Sequence, residues 1–126
     1  QAVLACTEST VPWTTVMIRK SFGVAAAAHY GPDGYVLAWP SSESGPLPLE
    51  GGVAVAFKKE IAEAEDPEAK RKELEAKMAK NQNPFPRAEA FSVHEIIDPR
   101  ETRKYISLWA ERIQQQLKAG LIKRLS

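Results

Sequence analysis

Cysteine is nearly absent from this chain. Cys6 stands alone among 126 residues, which excludes an intrachain disulfide framework and a multi-cysteine metal site. Two histidines, His29 and His94, are too few for most metal-based catalysis, and no metal site is expected. No apolar run approaches the roughly 18 residues that mark a membrane span. A surplus of one charge is missing too: 17 basic residues against 16 acidic give a net +1. That balance excludes a strongly basic nucleic-acid binder and a disordered acidic tail. No Gly-x-Ser-x-Gly elbow occurs, so Ser41, Ser42 and Ser44 read as turn formers in a glycine- and proline-rich stretch. An initiator methionine is also missing. The chain starts at Gln1 with a helical stretch that has no capping residue, and the expectation is the tail of something longer.

What remains is an ordinary globular composition, 44% hydrophobic and 26% charged, enough for one modest core. Residues 2–10 have helical apolar spacing and stop at Val11-Pro12. The β-branched run at 14–18 predicts a strand, and its continuous apolar end predicts burial on both faces. Gly23 opens an alanine-rich helix over 24–28, closed by the turn Gly31-Pro32-Asp33-Gly34. A second strand is predicted at 35–39, ending at Pro40. Residues 41–52 are expected to be largely irregular, and the two prolines within 44–50 argue against regular pairing there. A helix is predicted over 53–64.

Asp66 and Pro67 then form a cap and first turn for a charged helix reaching residue 80, with Glu68–Lys72 and Glu73–Lys77 as supporting pairs. Its thin apolar stripe, Leu74 and Met78, places it on the outside of a larger body. The kinked segment Asn83-Pro84-Phe85-Pro86 leads to a short helix at 87–91 and a third strand at 93–97. Asp98, Pro99 and Glu101 have the pattern of a capping box. The helix behind them carries Tyr105, Trp109, Ile113 and Leu117 on one face, widened by Leu108. Residues 1–118 thus form the structured body and 119–126 a tail. Strands separated by helices predict an α/β arrangement, although three short strands make an incomplete sheet.

Chemistry is best placed at Lys20-Ser21-Phe22-Gly23-Val24-Ala25, a strand-to-helix turn. Unpaired N–H groups at a helix start stabilise negative charge, and small residues let a ligand reach them. Most turns of this kind are only structural. The other candidates have simpler roles: Cys6 as a buried small residue, His29 at a helix C-terminus, and Trp39 and Trp109 as core anchors. Arg19 and Lys20 read as partners for carboxylates or carbonyls, and His94 has no obvious partner.

Several blocks, in order, resemble the C-terminal end of the carboxyltransferase β-subunit of biotin-dependent acyl-CoA carboxylases, the propionyl-CoA and methylcrotonyl-CoA carboxylase group. Thr10-Val11-Pro12 with Ile18-Arg19-Lys20 resembles "TVP…TVITRK", and Phe22-Gly23 with Ala25 resembles "YGGA". Ala38-Trp39-Pro40 with Glu43 resembles "AWPTAE". Gly51 and Val53 ahead of Phe57 resemble "GAKGAVEIIF", and Asn83-Pro84-Phe85 resembles "NPF". The run Ile96-Ile97-Asp98-Pro99-Arg100-Glu101-Thr102-Arg103 resembles "VIDPRETR".

The resemblance implies a partial crotonase-like fold of repeated ββα units, the last half of the family's C-domain. It implies an enzyme fragment that is inactive alone, moving a carboxyl group from carboxybiotin to the α carbon of an acyl-CoA. Biotin is then a cofactor carried covalently by a partner domain. Further partners are the rest of the subunit, a biotin carboxylase or carrier subunit and, in the family, a hexamer; the expected location is cytoplasmic. The family's biotin-side oxyanion hole falls on the main-chain N–H groups of Val24 and Ala25, with Phe22 and Gly23 completing the biotin contact. Val24 replaces a glycine, Ala27 stands where propionyl-type enzymes have a pocket Asp, and residues 44–50 depart from "IAVMGAK". Two alternatives accompany this reading: a biotin-dependent acyl-CoA decarboxylase, and a non-catalytic assembly piece.

Overall fold

Two short parallel ladders organise the chain. The computed structural model describes residues 2–31 and 34–122. Helix α1 (Ala2–Thr7) leads into β1 (Thr14–Met17), β2 (Lys20–Phe22) and α2 (Gly23–Ala28). The same strand–strand–helix order recurs as β3 (Tyr35–Ala38), β4 (Glu43–Gly45) and α3 (Leu49–Ala56). β1 pairs with β3, Thr14 facing Tyr35, and β2 pairs with β4, Lys20 facing Glu43. Each strand of the second unit lies beside its counterpart in the first, so the units are successive turns of one coil. The amino acids of the two turns have no visible similarity; the repeat exists only in the backbone.

β5 (Glu95–Ile96) extends the first ladder, giving sheet orders β1-β3-β5 and β2-β4. Helices α4 (Lys58–Ala62), α5 (Pro67–Ala79) and α6 (Pro84–Glu89) lie between β4 and β5 in sequence. A 3-10 turn at Pro99–Glu101 opens α7 (Thr102–Lys118). The core sits on β3, whose Val36 and Ala38 join Met17 and Val93 on one face while Leu37 is buried on the other. Burial on both faces therefore holds for β3. The expectation is for 14–18 and fails there: in β1 only Met17 is buried.

The stretch 41–52 departs most from expectation. β4 forms there, and its pairing stops at Gly45, just before Pro46 removes a donor. Ser42 closes the turn from Trp39, its N–H donating to the Trp39 carbonyl at 3.0 Å, whereas Ser44 lies in β4; both are buried, at 2% and 1% exposure, and the Ser44 N–H donates to the Gln82 carbonyl at 2.8 Å. α3 starts at Leu49, and the single helix expected over 53–64 breaks at Phe57, whose φ −111° and ψ 24° are not helical.

Helix starts follow the residues closely. The Asp66 carboxylate accepts from the N–H groups of Glu68 and Ala69, both at 3.0 Å, a cap worth about 1 kcal/mol. Asn83 accepts from Phe85 N–H at 3.1 Å and starts α6 at Pro84, earlier than the expected 87. Asp98 accepts from Arg100 N–H at 2.8 Å, while Glu101 pairs with Lys104 at 2.9 Å. Lys72 meets Glu68 at 3.1 Å, whereas Glu73 meets Lys70 at 3.3 Å. On α7 the predicted stripe is half-buried, but Leu108 is exposed and does not widen it. Pro32 and Asp33 of the predicted turn, and residues 123–126 of the tail, lie outside the described residues.

Candidate active site at the start of α2

Phe22 ends β2 in an extended conformation, and Gly23 turns the chain with φ +78°. A Cβ at Gly23 would have only the Pro46 carbonyl oxygen near it, at 3.9 Å. The demand for glycine is therefore dihedral: a side chain is strained at positive φ wherever there is room. Val24 and Ala25 follow in the first turn, whose N–H groups have no carbonyl one turn below them. Four alanines carry the short helix. His29 caps its far end as expected, its N–H donating to the Ala26 carbonyl at 3.1 Å, and Thr15 Oγ1 donates to the His29 carbonyl at 2.5 Å.

Helix α2 is a ridge between two hollows. The larger, about 580 Å³, is lined by Phe22, Ala25, Ala26 and His29 together with Arg19 and Lys20. The smaller, about 330 Å³, is lined by Gly23, Val24 and Ala27 together with Gly45, Pro46 and Arg87. The sequence-predicted residues are thus divided: Phe22 and Ala25 face one side, and Gly23, Val24 and Ala27 face the other. The Val24 side chain is 70% exposed. Beneath the ridge, the Tyr30 hydroxyl lies 3.0 Å from Ser21 Oγ and donates to Met17 Sδ at 3.4 Å, so the hydroxyls satisfy each other. Cys6 is half-buried.

Two groups escaped the sequence reading. Arg87, at the wall of the smaller hollow, carries no motif signal; only its position in α6 brings it there. His94 does have partners, contrary to expectation: its Nδ1 accepts from Val36 N–H at 3.0 Å, and its ring lies 5.3 Å from that of Tyr35. The Tyr35 hydroxyl in turn donates to Glu95. Burial and that bond push Tyr35 up to about 12, and the Glu95 charge also raises Tyr105. This cluster joins β3, β5 and α7 and is structural. Among the described residues no group of three or more His, Cys, Asp or Glu is placed to hold a metal ion. No helix there is long and apolar enough to cross a membrane.

The carboxyl transferase domain family matches residues 1–124. The chain belongs to that family. Among curated relatives of this carboxyl transferase chain, it is 39% identical over 110 residues to the methylmalonyl-CoA carboxyltransferase 12S subunit of Propionibacterium freudenreichii subsp. shermanii, covering 82% of this chain and 20% of that one. It is 36% identical over 107 residues to the methylmalonyl-CoA decarboxylase subunit alpha of Propionigenium modestum, covering 81% and 20%. The carboxyl transferase chain therefore spans about a fifth of the length of these relatives. Its backbone superimposes on the transcarboxylase 12S crystal structure, described as a hexamer, with a TM-score of 0.73 and 32% identity, covering 99% of this chain and 24% of that one. The fold is α/β and is part of the crotonase-like carboxyltransferase fold, with two of its ββα turns in β1-β2-α2 and β3-β4-α3.

Proposed function

We propose that this chain is the C-terminal portion of a biotin-dependent acyl-CoA carboxyltransferase and supplies its biotin-side oxyanion hole. The observation that carries this reading is the left-handed turn at Gly23, which opens α2 where Ala25 borders the larger hollow and Val24 the smaller. The residues suit the group. Ala25 and Ala26 leave space, Phe22 offers a flat wall, and among the described residues no Asp or Glu lines the hollow to oppose negative charge. Carrier-borne biotin supplies the carboxyl group that is transferred. The Val24 and Ala25 N–H groups hold the oxygen that becomes negative, and the Gly23 turn fixes their direction before the reaction. Ala27 lines the acyl side, beyond the ridge. Acyl-CoA binding, the carrier and assembly, as in the hexameric relative, belong to the rest of a soluble, cytoplasmic complex. The fragment alone is inactive.

A decarboxylase acting on similar substrates is the second reading, favoured by the Propionigenium relative at the same level of similarity. The exposed Val24 side chain on the ridge favours a third, an assembly role without catalysis. One variant separates chemistry from assembly. Val24→Pro removes a donor at a first-turn position where proline is tolerated, and its predecessor Gly23 is already outside the α region. In the intact subunit, carboxyl transfer is expected to fall about 100- to 1,000-fold with assembly unchanged, whereas Val24→Ala keeps the N–H and the rate. Unchanged transfer in Val24→Pro would refute the oxyanion role. An assembled wild-type enzyme that transfers nothing in either direction would favour the assembly role.

A further inference from the structure

Arg87 is out of balance with its surroundings. Its main chain is pinned, the carbonyl accepting from Ser92 N–H and Ser92 Oγ at 2.9 Å and from Val93 N–H at 3.3 Å. Its side chain is not: Nε is shielded from solvent and has no hydrogen-bond partner. Among the described residues no carboxylate forms an ion pair with Arg87, and no Asp or Glu lines the 330 Å³ hollow that it borders. The other polar groups there, Ser21 and Tyr30, are bonded to each other. The buried Nε–H has lost water without gaining an acceptor, and the planar fork of the same half-buried guanidinium matches a carboxylate. The hollow is near the lower end of the ~300–1,000 Å³ range of small-molecule sites, room for a small group rather than a whole nucleotide. Ala27 adds only a methyl group to the wall facing this space, leaving Arg87 the one charged residue lining it among the described residues.

We propose that the hollow between α2, β4 and α6 binds a carboxylate and that Arg87 is its counter-ion. This rests on the carboxyltransferase reading, and two sources of carboxylate are compatible with it: one carried by the acyl group of the substrate, and the one carried on biotin. The Ala27 wall makes Arg87 a specificity residue in the first case; the Val24 ridge makes it a donor-binding residue in the second.

The test uses the intact subunit with Arg87→Met, which keeps the stem and removes the charge, and Arg87→Lys, which keeps the charge and loses the fork. Circular dichroism and oligomer size establish that both variants are folded. In one arm, calorimetry measures binding of succinyl-CoA and butyryl-CoA, which differ by a terminal carboxylate. In the other, the Michaelis constant for free carboxybiotin is measured without acyl-CoA. Arg87→Met is expected to weaken one carboxylate ligand by about 10- to 100-fold and to leave butyryl-CoA unchanged, with Arg87→Lys between. Loss confined to succinyl-CoA assigns the acyl source, and loss confined to carboxybiotin assigns the donor. Equal weakening of succinyl-CoA and butyryl-CoA, or no change in either arm, overturns the proposal. The underlying reading fails separately, if wild-type enzyme moves no carboxyl group while its calorimetric binding is intact.

Discussion

Phe91 illustrates how a single residue can work against the fold that holds it. Its φ of +56° is the one positive value at a non-glycine among the described residues, and its ring is 90% exposed. A bulky side chain there costs about 1–2 kcal/mol, and an exposed ring buries too little to offset it. Phe91→Gly is therefore expected to stabilise the intact subunit by about 1 kcal/mol, seen as a rise of about 1 °C in thermal unfolding of a protein some five times this chain's length. A fall in melting temperature would show that a neighbouring subunit covers the ring. Gly23 is the opposite case, a residue fitted to its dihedral, and the chemistry proposed for this chain depends on that fit.

Among the elements, β3, β5 and α7 are tied by Tyr35 and Glu95, and that tie has a pH signature. The Tyr35 proton is held more tightly when folded, chiefly through burial and then through Glu95. Its contribution is complete below the ordinary tyrosine value of 10 and disappears as pH rises through about 12. Tyr105, raised mainly by the same Glu95 charge, adds to the loss in the same direction. Tyr35→Phe should flatten the decline in urea midpoint across that alkaline window; a decline as steep as wild type would remove Tyr35 from the account. Elements with a local signal were legible in the sequence. Asp66-Pro67 and Asp98-Pro99 carry their own caps, and the apolar run at 35–39 identifies β3 as a strand. β2 and β4 were not legible, because Lys20-Ser21-Phe22 and Glu43-Ser44-Gly45 have no strand pattern and extend only because each lies beside the other. The site divides in the same way. The glycine between strand and helix marks the Gly23 turn, whereas Gly45, Pro46 and Arg87 reach it through pairing and packing that no local pattern encodes.

For the molecule as a whole, surface area is the informative quantity. It exposes 9058 Å², about a third more than the ~6,700 Å² of a compact monomer of 13.9 kDa. Leu4, Val55, Phe85 and Leu121 are among the exposed apolar residues, and α7 buries none of its side chains fully. Expressed by itself, the chain is expected to bind a hydrophobic dye such as ANS and to melt without a sharp transition. A cooperative melt without dye binding would show that it is self-sufficient. The ladders also set the order of events during synthesis. All three pairings among the described residues are parallel, so none begins as a hairpin: Thr14 must wait for Tyr35, Lys20 for Glu43, and Leu37 for Glu95. Loop closure precedes every sheet hydrogen bond, which makes folding slow for so short a chain. On the ribosome, the edges of β1 and β2 that pair with β3 and β4 stay open to chaperones until the next turn of the coil arrives.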